Sequence, residues 1–123
     1  MVRTGDTYLI SFEHVGPAPH LWILAAGPDV AGRIILVSLT TLRRGKDQTV
    51  VLQPGDHPFV KHPSCVFYQD AIIADASRLE DWIAGDLAKP FEPCSADLLK
   101  LVHDGFSASE FTPKKVLRLI KGH

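Results

Sequence analysis

The side chains best suited to chemistry in this sequence are imidazoles, hydroxyls and a short basic run. His20 follows the Pro17-Ala18-Pro19 segment. Thr40 and Thr41 close an apolar stretch, and Arg43, Arg44 and Lys46 come directly after them. Histidine is the usual general acid or base near neutral pH. A threonine hydroxyl donates to a phosphate oxygen, and arginine and lysine hold phosphate by charge. A second group lies between Gln53 and Pro63, where Asp56, His57, Lys61 and His62 sit among prolines. Imidazole and carboxylate ligate transition metals. However, no helix frames His57 and His62, and no third strong ligand is near in sequence. The simpler reading is that Asp56 and His57 tie down their own loop through side-chain to backbone hydrogen bonds. The simpler reading of His20 is a half-buried strand histidine, with Arg43–Lys46 as a solvated hairpin tip. No glycine-rich phosphate loop, zinc-type cysteine spacing or nucleophile elbow is present.

The element that must position these groups is Arg33–Thr41, RIILVSLTT. Branched apolar residues in succession, bounded by Gly32 and a basic turn, predict a buried strand. Side chains alternate across a strand. Ile34, Leu36, Ser38 and Thr40 therefore share one face, and Ile35, Val37, Leu39 and Thr41 the other. The strand turns polar at its end, which delivers hydroxyls to a sheet rim, where binding groups gather. A preceding strand is predicted over His20–Ala26. Antiparallel pairing sets the start of that strand beside the end of the next, so His20 and Thr40 are expected to be neighbours.

Further strands are predicted over Thr7–Glu13, Thr49–Leu52 and Ser64–Ile73, the last placing Cys65, Phe67, Gln69, Ala71 and Ile73 on one face. The segment His14–Pro19 reads as a loop. Ser77-Arg78-Leu79-Glu80 has a capping-box pattern and starts a helix that Gly85 ends. Lys89–Pro93 reads as a loop. Ser95 caps a second helix, with Gly105 as its stop, and Pro113 opens a third that Gly122 ends. Strands followed by helices give an α+β class, mainly β. Proline- and glycine-rich turns suit a small, strongly curved barrel.

At 123 residues the chain is expected to be one domain, with barrel strands over 1–75 and a helical part over 76–123 packed on them. Net charge is −1, so any nucleic-acid binding must come from a local basic patch. No apolar run approaches membrane-spanning length and the N-terminus lacks a signal-peptide layout, so a cytoplasmic protein without membrane contact is expected. Cys65 and Cys94 are expected to be inert thiols rather than a disulfide.

Three pieces of the chain, in order, resemble the PemK/MazF toxin family. Gly5-Asp6-Thr7-Tyr8-Leu9-Ile10-Ser11-Phe12 is similar to that family's Gly-Asp opening strand. Ile35–Thr41 is similar to its apolar strand ending in Leu/Ile-Thr-Ser. Ser64-Cys65-Val66, Gln69 and Asp75-Ala76-Ser77-Arg78-Leu79 resemble its next strand and helix start. The resemblance implies an SH3-like barrel of five or six strands with two or three C-terminal helices. It implies a toxin-like endoribonuclease that cleaves single-stranded RNA without metal or other cofactor, within a type II toxin–antitoxin system. It also implies a homodimer and an antitoxin partner. The family uses an arginine and a threonine at the two strand ends. Thr40 matches the threonine, whereas His20-Leu21 stands where the family has Arg-Pro. His20, Thr40 and His57, with His62 as the alternative to His57, are thus the expected catalytic residues. Arg43, Arg44, Lys46, Lys61 and Thr41 are expected to bind RNA. Trp22 or Tyr68 would stack a base if exposed. Two other readings remain: a non-catalytic barrel that binds a protein, and a metal-dependent hydrolase using Asp56, His57 and His62.

Overall fold

The computed structural model describes residues 1–12 and 18–122. Among them the elements run β1 (Thr7–Ile10), β2 (His20–Ala26), β3 (Arg33–Thr41), β4 (Val51–Leu52), β5 (Ser64–Asp75), α1 (Ala76–Ala84), β6 (Ala88–Phe91), α2 (Ala96–Ala108) and α3 (Lys114–Lys121). The strands form one antiparallel sheet in the order β4-β5-β3-β2-β1-β6, curled into a half-barrel. The class is α+β, mainly β. No helix of the described residues is long and apolar enough to cross a membrane.

The apolar run in β3 follows from burial on both faces. Ile35, Val37 and Leu39 join Leu21 and Ile23 of β2 in a cluster covered by Val102 and Phe106 of α2 and Val116 and Ile120 of α3. Ile34 and Leu36 face the other way, onto Tyr8, Ile10, Trp22, Leu24 and Leu79 of α1. A central strand sandwiched like this is almost wholly apolar inside the core, with Ser38 its one buried hydroxyl, and its partly exposed hydroxyls, Thr40 and Thr41, stand at its end. Two irregularities curl the sheet. Ala25 and Ala26 both lie in the cluster under α2 and α3, because the β2–β3 register shifts between Leu24 and Ala26. On β5, Leu36 pairs with Ile72 but Ser38 pairs with Phe67, so Tyr68–Ala71 stand opposite the single Val37. A bulge of this kind bends a strand and re-aims its side chains.

That bulge corrects the facing predicted for β5. Val66 and Tyr68 share a cluster with Ala71 and Ile73, across the parity that uninterrupted alternation gives. Other boundaries differ for local reasons. β1 ends at Ile10, and the remainder of its predicted span reaches Glu13, outside the described residues, as does most of the predicted His14–Pro19 loop. Thr49 is not in a strand, because its N–H and hydroxyl both bond Asp47 Oδ1, at 2.9 and 2.6 Å. Ser77 does not cap α1. β5 stays paired with β3 as far as Asp75, which occupies the cap position without a side-chain bond, and Ala76 N–H donates to Gly32 O at 2.8 Å. Lys89-Pro90-Phe91 is not loop but part of β6. Pro90 is tolerated there because β6 is an edge strand with one neighbour.

Ser95 does cap α2, accepting from Leu98 N–H at 3.1 Å. The helix continues through Gly105, which the sequence marks as a stop. Glycine stands there because a Cβ would overlap the Tyr68 phenol and Val50. Tyr68 is fully buried, donates to Val102 O at 2.7 Å and meets Phe106 edge-on at 4.9 Å between centroids. It is a core residue, as is Trp22, so neither is free to stack a base. Both cysteines are free thiols, and burial pushes Cys94 up to about 11, which keeps it protonated at neutral pH.

Candidate functional site

A cleft of about 340 Å³ opens at the sheet end where β3 leaves the core. Its lining includes His20, Thr40, Thr41, Arg43, Lys46, Lys61 and His62, together with Pro19, Leu39, Phe59 and Ser64. Two strand pairings assemble it. β2 and β3 pair as far as Trp22 with Ser38, and past that last pair His20 and Thr40 both reach the cleft wall. β3 and β5 pair Thr41 with Ser64, which brings Lys61 and His62, just before β5, beside the residues just after β3. Leu42 N–H then donates to Pro63 O at 3.0 Å, closing that corner.

Within the cleft, Thr41 Oγ1 and His62 Nε2 are hydrogen-bonded at 3.0 Å. His20 is half-buried; its Nδ1 is shut off from solvent and has no hydrogen-bond partner among the described residues. Arg43, Lys46 and Lys61 bring three positive charges to the walls, and no acidic side chain of the described residues lines them. The ion pairs among the described residues are Arg33–Asp29 and Lys100–Asp104, so none of these three cations has a salt-bridge partner among the described residues. Two imidazoles, the hydroxyls of Thr40 and Thr41 and an excess of positive charge in one concavity are suited to an anionic ligand that undergoes proton transfer.

Not every predicted residue arrives there. His57 is 3% exposed and turned inward. Its Nδ1 accepts from Phe59 N–H at 3.1 Å, which leaves Nε2 as the donor to Glu92 O at 2.6 Å. Both nitrogens are occupied, so His57 is not placed for proton transfer; it pins the 53–60 connection to the end of β6, against the Phe91 ring. Asp56 caps its own turn, accepting from Gln53 N–H at 2.7 Å. Asp56, His57 and His62 therefore face different partners, and no cluster of three such ligands occurs among the described residues. Arg44 also leaves the cleft and lines a neighbouring recess. Of His57 and its alternative His62, it is His62 that reaches the cleft. The usable signal was Ser64 opposite Thr41, since pairing that strand end with β3 carries His62 to the rim.

His57→Ala is expected to destabilise the fold by about 1–3 kcal/mol, the typical cost of orphaning a buried donor such as Phe59 N–H. A denaturant midpoint measures it, and any activity of the cleft should survive in the folded fraction.

The turn carrying Arg43 and Lys46 is anchored from below. Ser109, at the end of α2, donates its hydroxyl to Asp47 Oδ2 and accepts from Phe111 N–H at 3.1 Å. Burial pushes the Asp47 carboxyl up, but the donations from Ser109 and Thr49 outweigh it and hold the group below its ordinary value. A carboxylate so depressed adds stability above its unfolded-state pKa and loses it as pH falls through the folded value. Ser109→Ala should thus destabilise the protein at neutral pH. The gap from wild type should close in acid, and a gap that is unchanged between neutral and strongly acidic pH would show that this bond does not anchor the turn.

No family model matches the chain, and neither a curated protein nor a solved structure matches it.

Proposed function

We propose that this protein is a toxin-like endoribonuclease that cleaves single-stranded RNA without a metal ion, on an SH3-like barrel of the PemK/MazF kind. The observation that carries the reading is the meeting of His20, His62, Thr40 and Thr41 with Arg43, Lys46 and Lys61 in one cleft. A phosphodiester is anionic, its cleavage needs proton transfer at two oxygens, and charge grows on the phosphate in between. The cleft holds a group for each need.

In this reading the RNA 2′-hydroxyl attacks the adjacent phosphorus. One imidazole takes the 2′-hydroxyl proton as the 2′-oxygen–phosphorus bond forms. The other gives a proton to the 5′-oxygen as its bond to phosphorus breaks. The products are a 2′,3′-cyclic phosphate and a 5′-hydroxyl. His20 and His62 share the two transfers, Thr41 orients His62 through their 3.0 Å bond, and Thr40 with the cations stabilises the phosphate. Imidazole replaces the family's arginine at His20, which moves the chemistry from a permanent charge toward proton exchange. A homodimer in the cytoplasm, silenced by an antitoxin that occupies the cleft, completes the proposal.

Incubating single-stranded RNA with the protein in EDTA tests it. Cleavage leaving cyclic-phosphate ends supports the proposal. A folded protein that cleaves no RNA, or cleaves only with a divalent ion, overturns it.

A further inference from the structure

Beside the cleft, across the basic turn, lies a second recess of about 220 Å³ lined by Arg44, Gly45, Lys46, Asp47, Phe67, Gln69 and Phe111. Lys46 belongs to both concavities, so the two are adjoining. We propose that this recess is a nucleobase subsite, in which Phe111 and Phe67 hold the base of a nucleotide next to the phosphate bound in the cleft. The proposal rests on the RNA reading of the cleft and adds where a neighbouring base goes.

Four observations support it. Phe111 is 50% exposed. It is nevertheless held, because its N–H donates to Ser109 Oγ and Ser109 donates to Asp47 on the basic turn. The backbone that carries Phe111 and the turn that carries the cations are thereby tied to one another before any ligand arrives, which lowers the ordering cost of binding. Phe67 is half-buried, with Lys46 Nζ 4.8 Å from its ring centroid, so a cation and an aromatic ring already share the floor. Gln69 is exposed and lies in the β5 bulge, the feature that breaks the strand's alternation beside the recess. Its amide both donates and accepts, which matches the paired donor and acceptor on a base edge. Every base has a flat face for stacking, whereas a phosphate alone gains nothing from Phe111. Arg44, which does not reach the cleft, finds its role here as the charge beside the next backbone phosphate.

Binding to short single-stranded oligodeoxynucleotides tests the subsite apart from catalysis, because DNA has no 2′-hydroxyl to react. The control ligand is an abasic deoxyribose-phosphate strand of the same length and charge. Wild type should bind the base-bearing strand more tightly than the abasic one. Phe111→Ala, at an exposed site, should keep the fold and lose about 5- to 150-fold in affinity for the base-bearing strand, the equivalent of one stacked base. Its affinity for the abasic strand should not change. Gln69→Ala should narrow the differences in affinity among homopolymers of different base. If Phe111→Ala binds base-bearing strands like wild type, or weakens both ligands equally, the subsite is wrong and the RNA reading of the cleft stands. If wild type binds neither strand, the subsite and the nucleic-acid reading fall together.

Discussion

Replacing His20 with alanine is expected to slow RNA cleavage by roughly 10²–10⁴-fold, the usual contribution of a general acid or base. The substitution is a clean one. His20 is half-buried at the start of β2, and its Nδ1 bonds to no described residue, so alanine orphans no partner there. Loss of rate can then be read as lost chemistry once circular dichroism shows the fold unchanged. His62→Gln should fall in the same range, because glutamine still bonds Thr41 but cannot exchange a proton near neutrality. Thr40→Val keeps the shape and removes a single hydroxyl donor, so it should slow the reaction less than either. If both histidines act, the rate of the parent should be bell-shaped in pH, and each histidine variant should lose one limb of the bell. Normal cleavage by His20→Ala would remove His20 from the mechanism. Normal cleavage by both histidine variants would leave the cleft a binding surface only.

The cleft was legible in the sequence where strand geometry decides it. A run such as Ile34–Leu39 fixes its own faces, and antiparallel order then brings His20 and Thr40 to the same end of the sheet, where both line the cleft. What escaped was set by partners distant in sequence. His57 and His62 sit in similar proline-bracketed surroundings, and nothing local says which one turns inward. The answer came from Glu92 O and Phe59 N–H, which trap His57, and from Ser64 pairing with Thr41, which exposes His62. Gly105 carried a stop signal by composition, yet a helix tolerates glycine when a neighbour such as Tyr68 needs the space. Pro90 argued against a strand, but only an interior strand excludes proline. The β5 bulge left no composition signal at all. Its consequence was large, because it reverses the facing of half a strand and sets Gln69 beside the second recess.

Neutralising the cleft cations should weaken RNA binding and change how that binding responds to salt. The sequence placed Arg43, Arg44 and Lys46 together, and the structure divides them: Arg43, Lys46 and Lys61 line the cleft, and Arg44 lines the recess beyond. Each phosphate contact on a single strand contributes roughly 0.7 to the log–log slope of affinity against salt. Arg43→Gln, Lys46→Gln and Lys61→Gln combined should therefore flatten the slope by roughly 2 if each holds one phosphate. The net charge of −1 makes the effect easy to isolate, since no general positive field compensates for the loss. Arg44→Gln should take off no more than one contact and leave the cleft's own chemistry running. Lys46→Gln is the informative single change, because it stands between both concavities and should affect base-bearing and abasic strands alike. A triple variant with the wild-type slope would mean that the strand does not pass through the cleft. The imidazoles would then face a different anion, and the assignment of His20 and His62 to RNA would go with it.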